Sequence, residues 1–316
     1  MSRRAAIARV ALCGAALCVA GCGASGAADG GTDGSGPTRV DAAVGSPATA
    51  VDRTTSSTVG TTSPAADDAT VRTASSTTTS AAPDDATPSA DRPLRGRTIV
   101  LDPGHNGGNA GAPSRVNRPV SIGNGTKTCD TTGTESVRGL AEHRFTWLVA
   151  GHVRRELRRR GARVVLTRSS DTGVGPCITR RMPRANRIDA DLAVSIHADG
   201  GPSGGRGFHV ILPGRVPELA GHDRVVAPSA RLGRAVRAAF RGGTGMPYST
   251  YLGRRGLDVR TDLGGLNLVR VPAVMLETGN MRNAVDAALM SDPGWRRRAG
   301  IAIAEGVVDG LAAIDR

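Results

Sequence analysis

The sequence predicts an α/β fold: a single domain with a mostly parallel, twisted sheet of about six strands, flanked by helices on both faces. Short apolar segments alternate with segments of helical periodicity, which is typical of strands that alternate with helices. All seven aromatic residues lie at or beyond Phe145, so the first part of the chain has little with which to form a core. Residues 23–95 consist mainly of Ala, Thr, Ser, Asp, Gly and Pro, a composition typical of a disordered linker.

The expected elements therefore all fall within residues 96–316. We expect strands at 97–101, 163–167, 191–196, 207–212 and 273–276, and helices at 142–160, 178–188, 229–240 and 295–314. A loop rich in Gly, Ser, Thr and Asn joins the first strand to the first helix over 106–138. A loop of that length in a small domain is usually functional or mobile.

The N-terminus carries features of an export signal. Three arginines precede an apolar stretch, residues 10–20, that is too short for a permanent membrane span. The stretch ends in Val-Ala-Gly-Cys22, which resembles the bacterial lipobox, in which the Cys is lipidated and becomes the mature N-terminus. An ordinary secretory signal is the alternative. We predict a signal peptide over 1–21, a lipidated Cys22, a linker over 22–95 and an exported protein at the outer face of the cytoplasmic membrane or in the cell wall.

The cysteines are consistent with export. Two of the five leave with the signal peptide and Cys22 would carry lipid, so Cys129 and Cys177 remain as an even pair. In an oxidising compartment such a pair is expected to form a disulfide. Two thiolate metal ligands are the alternative, although neither cysteine lies in a CxxC pair.

Charge is distributed unevenly along the chain. Residues 96–316 carry 33 basic and 19 acidic residues, whereas 23–95 carry five Arg and nine Asp. A basic domain indicates a polyanionic neighbour such as a wall polymer. Compositional bias explains the excess equally well, because the chain has 40 Arg and the single lysine Lys127. No nucleic-acid-binding module is recognisable, so we expect no nucleic-acid partner.

Residues able to bind a metal follow several of the predicted strands. Residues 98–101 lead into Asp-Pro-Gly-His105, residues 192–196 lead to His197, and residues 273–276 lead to Glu277. In an open α/β sheet, residues at the carboxyl ends of strands meet in one crevice. Two imidazoles and a carboxylate there would suit zinc, and they predict a metal-assisted hydrolase.

Other residues are ambiguous when the sequence is read alone. Glu142 opens a predicted helix, where a carboxylate also favours the positive end of the helix dipole. His209 alternates within a strand and is read as structural. A serine nucleophile has little support, because the chain lacks a Gly-x-Ser-x-Gly elbow.

Eight ordered segments over residues 97–314 carry a resemblance to a known family. They are LDPGHNGG, GLAEHRFTWLVAGHVRREL, VVLTR, ITRRMPRAN, ADLAVSIHADGG, GRGFHV, DLGGLNLVRVPAVMLETGN and the C-terminal helix. Together they resemble the zinc-dependent N-acetylmuramoyl-L-alanine amidases of the Amidase_3 family, and most of all the mycobacterial cell-wall branch with its paired cysteines. The resemblance implies that His105, Glu142 and His197 bind Zn²⁺ and that Glu277 is the catalytic carboxylate.

The resemblance also sets expectations for substrate and regulation. It implies hydrolysis of the amide between N-acetylmuramic acid and L-alanine of peptidoglycan, by a protein that we expect to be a monomer. Asp199 and Asn280 are candidates for supporting the ligands or touching substrate. The loop after His105 lacks an Asp that the family often has there, and no long inserted helix precedes Glu277 to block the site. The alternatives are another zinc hydrolase acting within the stem peptide, or a non-catalytic wall-binding module.

Overall fold

The structure is a computed structural model that describes residues 92–316. The predicted signal peptide, Cys22 and linker residues 23–91 lie outside the described residues, so the expectations for them stay predictions. Within residues 92–316, no helix combines the length and the apolar character needed to cross a membrane.

The described part of the chain alternates between strands and helices. The strands are β1 (Thr98–Pro103), β2 (Pro119–Ser121), β3 (Thr126–Thr128), β4 (Arg163–Leu166), β5 (Leu192–Asp199), β6 (His209–Pro213), β7 (Leu257–Arg260) and β8 (Ala273–Asn280). The α-helices are α1 (Pro113–Val116), α2 (Glu142–Arg159), α3 (Arg184–Arg187), α4 (Asp223–Thr244), α5 (Gly264–Leu268), α6 (Ala284–Ser291) and α7 (Pro293–Asp315).

Six of the strands form one sheet in the order β4-β1-β5-β8-β6-β7. All neighbours pair in parallel except β6 and β8, which are antiparallel. The strands β2 and β3 form a separate antiparallel hairpin. The predicted fold class, a mostly parallel six-stranded sheet with helices on both faces, is confirmed.

The two faces of the sheet are covered differently, because successive side chains of a strand point to opposite sides. Ile99 and Leu101 of β1 point to a large apolar core beneath α2, α4 and α7, which we call the helical face. Val100 points to a smaller core beneath α3, α5 and the loops around them, which we call the loop face. On β5, the residues on this face are small: Ala193 is the register partner of Val100, and Ser195 follows two residues later.

The helix predicted over 178–188 is wrong for most of its length. Only α3, residues 184–187, is helical, and residues 178–183 form turns. The backbone N–H groups of Arg180 and Arg181 both donate to the carbonyl of Cys177, which closes a turn there. Pro183 has no N–H to continue an α-helix from the preceding turn, and Asp189, with a φ of 46°, ends the short helix.

Other differences concern length. The strand predicted over 191–196 extends to Asp199, so His197 lies within β5 rather than after it, and β8 likewise continues past Glu277 to Asn280. The long loop over 106–138 contains α1 and the β2–β3 hairpin. The short strand β7 and the helix α6 were not predicted.

Candidate metal and catalytic site

The residues predicted to bind a metal converge at one edge of the loop face. His105 lies two residues beyond the end of β1, and His197 lies on β5, the strand that pairs with β1. Glu142 is the first residue of α2, whose N-terminus reaches this edge from the helical face. One candidate ligand atom from each of these three residues lies within 4.8 Å of the others.

The carboxylate of Glu142 lies between the two imidazoles. Its Oε2 is 3.2 Å from Nε2 of His105, and its Oε1 is 3.0 Å from Nδ1 of His197. The two imidazole rings stand almost perpendicular, with their centroids 4.9 Å apart. Two nitrogens and one oxygen within 4.8 Å of one another form a donor set that suits zinc.

Electrostatics at this point favour a positive charge. Burial alone would raise the pKa of Glu142, but the charges of His105 and His197 and their hydrogen bonds outweigh it, so the pKa lies well below its usual range. Burial lowers the pKa of His105, yet the charge of Glu142 and a hydrogen bond to Asp130 raise it to about 10. A bound cation would satisfy the same carboxylate.

The loop over 130–134 orients the ligands. Nδ1 of His105 is 3.2 Å from the carbonyl oxygen of Thr131. Because a carbonyl can only accept, Nδ1 donates in this contact, which leaves Nε2 as the nitrogen that would bind a metal in place of its proton. The backbone N–H groups of Thr134 and Ala198 donate to the two oxygens of Glu142, at 3.0 and 3.1 Å.

Gly104, the residue before His105, has to be a glycine because the backbone there passes close to His197. A β-carbon at that position would overlap the imidazole of His197, so only glycine lets the backbone after β1 pass so close to the neighbouring strand.

A buried ion pair supports the end of β1 from below. The Nε of Arg181 donates to Asp102 at 2.9 Å, and its guanidinium also reaches the carbonyls of Pro103 and His105. Ser195 donates to the second oxygen of Asp102 at 2.7 Å. Arg181 therefore holds the segment that carries His105, a role that its sequence context did not indicate.

Glu277 lies beside the ligands on β8, in register with His197 on β5. One of its oxygens, Oε2, is buried and has no hydrogen-bond partner among the described residues. The pKa of Glu277 lies well above its usual value, first because the carboxyl group is buried and then because the negative charges of Glu142 and Asp199 lie nearby. The positive charges of His105 and Arg260 oppose this shift but do not cancel it. A carboxyl in this state can exchange a proton at moderate pH, as a general acid or base requires.

His209 completes a row across three neighbouring strands. It is in register with Glu277 on the other side, so His197, Glu277 and His209 lie side by side on β5, β8 and β6. His209 is buried, and burial lowers its pKa. Its ring stands perpendicular to that of Tyr251, with the centroids 6.3 Å apart. The sequence around His209 indicated only a structural role, because nothing local shows which strand β6 joins.

The two residues predicted to assist the site have different surroundings. Asn280 is fully buried, and its amide donates to the carbonyls of Pro202 and Gly205 at 2.7 and 2.8 Å. The side chain of Asn280 thus holds the loop after β5, and its role in supporting the ligands or touching substrate stays a prediction. Asp199 lines the cavity beside Glu277. The pKa of the neighbouring Tyr251 is raised, first by the burial of its own hydroxyl group and then by the charge of Asp199.

A cavity of about 400 Å³ opens above the ligands. The ligand residues and Glu277 line its floor, while the β2–β3 hairpin and the segment 262–265 form its walls. Lys127 of the hairpin and Asp262 lie 3.0 Å apart and connect these two walls. The single lysine of the chain thus lies at the mouth of the site, which its sequence context did not indicate.

The predicted disulfide between Cys129 and Cys177 is present, with their α-carbons 4.5 Å apart. It joins the start of the 130–134 loop to the turn that carries Arg181. Both cysteines are therefore unavailable as thiolate ligands.

The fold and the site define a class: an α/β protein with two histidines and one carboxylate placed for zinc, and a second carboxylate beside them, as in metal-dependent hydrolases. The chain belongs to the Amidase_3 family, described as N-acetylmuramoyl-L-alanine amidase, which matches residues 99–309.

Individual relatives agree with this assignment. The chain is 39% identical to the N-acetylmuramoyl-L-alanine amidase Rv3717 of Mycobacterium tuberculosis over 220 residues, which cover 69% of this chain and 88% of that protein. The fold is similar to the crystal structure of the N-acetylmuramyl-L-alanine amidase Ami1 from Mycobacterium smegmatis, with a TM-score of 0.64, 40% identity, and coverage of 69% of this chain and 98% of that one. Ami1 from Mycobacterium abscessus matches with a TM-score of 0.62 and 40% identity, over 71% of this chain and 100% of that one.

Proposed function

We propose that this protein is a zinc-dependent peptidoglycan hydrolase that cuts the amide between N-acetylmuramic acid and L-alanine. In this proposal His105, Glu142 and His197 bind the metal and Glu277 is the catalytic carboxylate. Family membership supports the reaction. The observation that carries the site assignment is the convergence of the three ligand residues beside a carboxyl group with a raised pKa.

The residues present fit zinc better than a harder cation. The donor set combines two imidazole nitrogens with one carboxylate, whereas magnesium and calcium prefer oxygen ligands alone. Three protein ligands are typical of catalytic zinc sites, which keep one position for water or substrate. When bound, zinc would supply a Lewis acid that lowers the pKa of a bound water and polarises the substrate carbonyl.

In this proposal Glu277 moves the proton of the reaction. Amide hydrolysis requires a group that takes a proton from the attacking water and gives one to the leaving nitrogen of L-alanine. A carboxyl group with a raised pKa can perform both transfers near neutral pH. The register of β5 and β8 keeps Glu277 beside His197, so both transfers would take place next to the metal ligands.

The product of the reaction tests this function most directly. Soluble muropeptides are incubated with the protein, with and without a chelator, and analysed by mass spectrometry. An intact stem peptide that begins with L-alanine, released only without chelator, is the expected product. Cleavage within the stem, or equal release with chelator, would contradict the proposal.

We also propose that the protein is exported and anchored through Cys22. The support is the sequence of residues 1–22 alone. If residues 23–95 form the flexible coil that their composition predicts, their r.m.s. reach is roughly 5–6 Å × √73, or about 45 Å, which would confine cutting to the inner wall. Changing Cys22 to Ser is expected to move the protein from the membrane fraction to the medium, as detected by immunoblotting. An unchanged distribution would indicate an ordinary secretory signal.

A further inference from the structure

A second groove lies along β4, the outermost strand at one edge of the sheet, and has a volume of about 570 Å³. Its floor is β4, and its walls carry Arg154 and Arg158 from α2 and Arg184 from α3. Asn106, the residue after His105, also lines it. The groove therefore begins next to the candidate site but lies outside the cavity over the ligands.

The three wall arginines carry charge that the described residues do not neutralise. Within residues 92–316, none of them has a carboxylate at salt-bridge distance or a side-chain hydrogen bond. Arg168, which also lines the groove, is different. It is buried and donates to the carbonyl of Pro103 and to Asp171. Among the described residues the wall arginines thus lack an acidic partner and can bind an anion, whereas Arg168 is structural.

The floor of the groove favours an extended peptide. In the described part of the chain β4 pairs only with β1, so the backbone groups on its outer side are open. An open strand edge binds an extended chain through main-chain hydrogen bonds. Val165 and Leu166 of β4 are half-buried and offer some apolar contact. A lipid surface or a phosphodiester polymer has no peptide backbone to pair with such an edge. A peptide that carries carboxylates can pair with the edge and also bind the arginines.

We propose that this groove binds a second peptide stem of the wall polymer, beside the stem whose amide is cut. The inference rests on the proposed function, because it takes its ligand from the same polymer. A stem in the groove would hold the enzyme on polymeric substrate. A soluble fragment with one stem gains nothing from it, since that stem has to enter the catalytic cavity.

The test is the double variant R154E/R158E of the full-length protein. The matched control is R224E/R234E, which makes the same charge change at two exposed arginines of α4, far along the chain from the groove. Binding is measured by co-sedimentation with insoluble peptidoglycan at low and at high salt. Turnover is measured on insoluble peptidoglycan and on soluble single-stem muropeptide.

We expect the groove variant to bind insoluble peptidoglycan roughly tenfold more weakly than the control at low salt, because two charge-assisted contacts are lost. Its turnover of polymer should fall in proportion, while turnover of the soluble muropeptide equals that of the control. Equal sedimentation of the two variants would overturn the proposal. An equal loss of turnover on both substrates would do so as well.

One further outcome would assign the groove to a different occupant. The linker holds Asp84, Asp85 and Asp91 close to the start of the described chain. If D84N/D85N/D91N and R154E/R158E both make residues 84–91 more sensitive to limited proteolysis, while R154E/R158E sediments with peptidoglycan as the control does, the chain's own acidic segment occupies the groove and the proposal is wrong. Failure of the wild type to cut soluble muropeptide would contradict the proposed function instead, and sedimentation would still test the groove.

Discussion

The helical face and the loop face are built from the same strands but serve different ends. On the helical face, large side chains such as Phe145, Phe240 and Trp295 fill the space beneath three helices of 18 to 23 residues. On the loop face, small residues and two helices of four and five residues leave a cavity at the carboxyl ends of the strands. The helical face therefore supplies most of the apolar packing, while the loop face can hold the polar groups that chemistry needs.

The loop face compensates for its smaller core with polar and covalent contacts. Asp102 and Arg181 are buried and hydrogen-bonded, and the disulfide ties the ligand loop to the turn that carries Arg181. A buried ion pair contributes little net stability compared with apolar packing, but removing one partner leaves an uncompensated charge. Changes on the loop face should therefore affect activity, or stability where a buried charge loses its partner, whereas changes on the helical face should affect stability without affecting activity.

The largest expected effect is that of Glu277→Gln on turnover. The amide cannot exchange the proton, so kcat for muropeptide cleavage should fall roughly 10³-fold, while thermal stability stays close to that of the wild type. Glu305→Gln, on α7 of the helical face, is the control and should leave kcat unchanged. Turnover by E277Q within tenfold of the wild type would show that Glu277 does not take part in the reaction. It would also contradict the claim that residues of the loop face carry the chemistry.

Arg181→Met tests the buried ion pair. It should lower the free energy of unfolding at pH 7 by about 3 kcal/mol, because Asp102 loses its charged partner. Urea unfolding measures this value, with Arg187→Met on the exposed side of α3 as the control. A loss below about 1 kcal/mol, the range of an exposed pair, would show that the pair does not support the loop face.

The pH dependence of this variant follows from the pKa of Asp102. Burial raises that pKa, but the charge of Arg181 and the hydrogen bonds from Thr167 and Ser195 lower it below the ordinary value. A depressed carboxyl pKa contributes stability above its unfolded value, about 3.9, and loses it as the pH falls towards the folded value. Without Arg181 the folded pKa rises, so R181M should destabilise less at pH 3 than at pH 7.

The smallest effect is expected on the helical face. Ile303→Val removes one buried methylene group of α7 and should cost about 1 kcal/mol of unfolding free energy without changing kcat. Calorimetry and the muropeptide assay measure the two quantities. A clear fall in kcat would show that packing on the helical face affects catalysis, and would contradict the division of stability and activity between the two faces.

The fold and much of the candidate site could be predicted, because the signals are local. His105, His197 and Glu277 each follow an apolar run, so strand pattern alone places them at one edge. Arg181 and His209 could not be assigned in the same way. The partner of Arg181 lies 79 residues away, and the position of His209 beside Glu277 depends on β6 pairing antiparallel with β8. Pro183, by contrast, was a local signal against the helix predicted over 178–188.

The metal content of the purified protein tests the central claim most directly. Elemental analysis after dialysis should find one zinc per chain in the wild type and in E277Q, which leaves the three ligands intact. Glu142→Gln removes the charge between the two histidines with almost no change of shape, and should reduce bound zinc to a small fraction. Equal zinc in all three proteins, or none in the wild type after reconstitution with zinc, would contradict a metal site built from His105, Glu142 and His197.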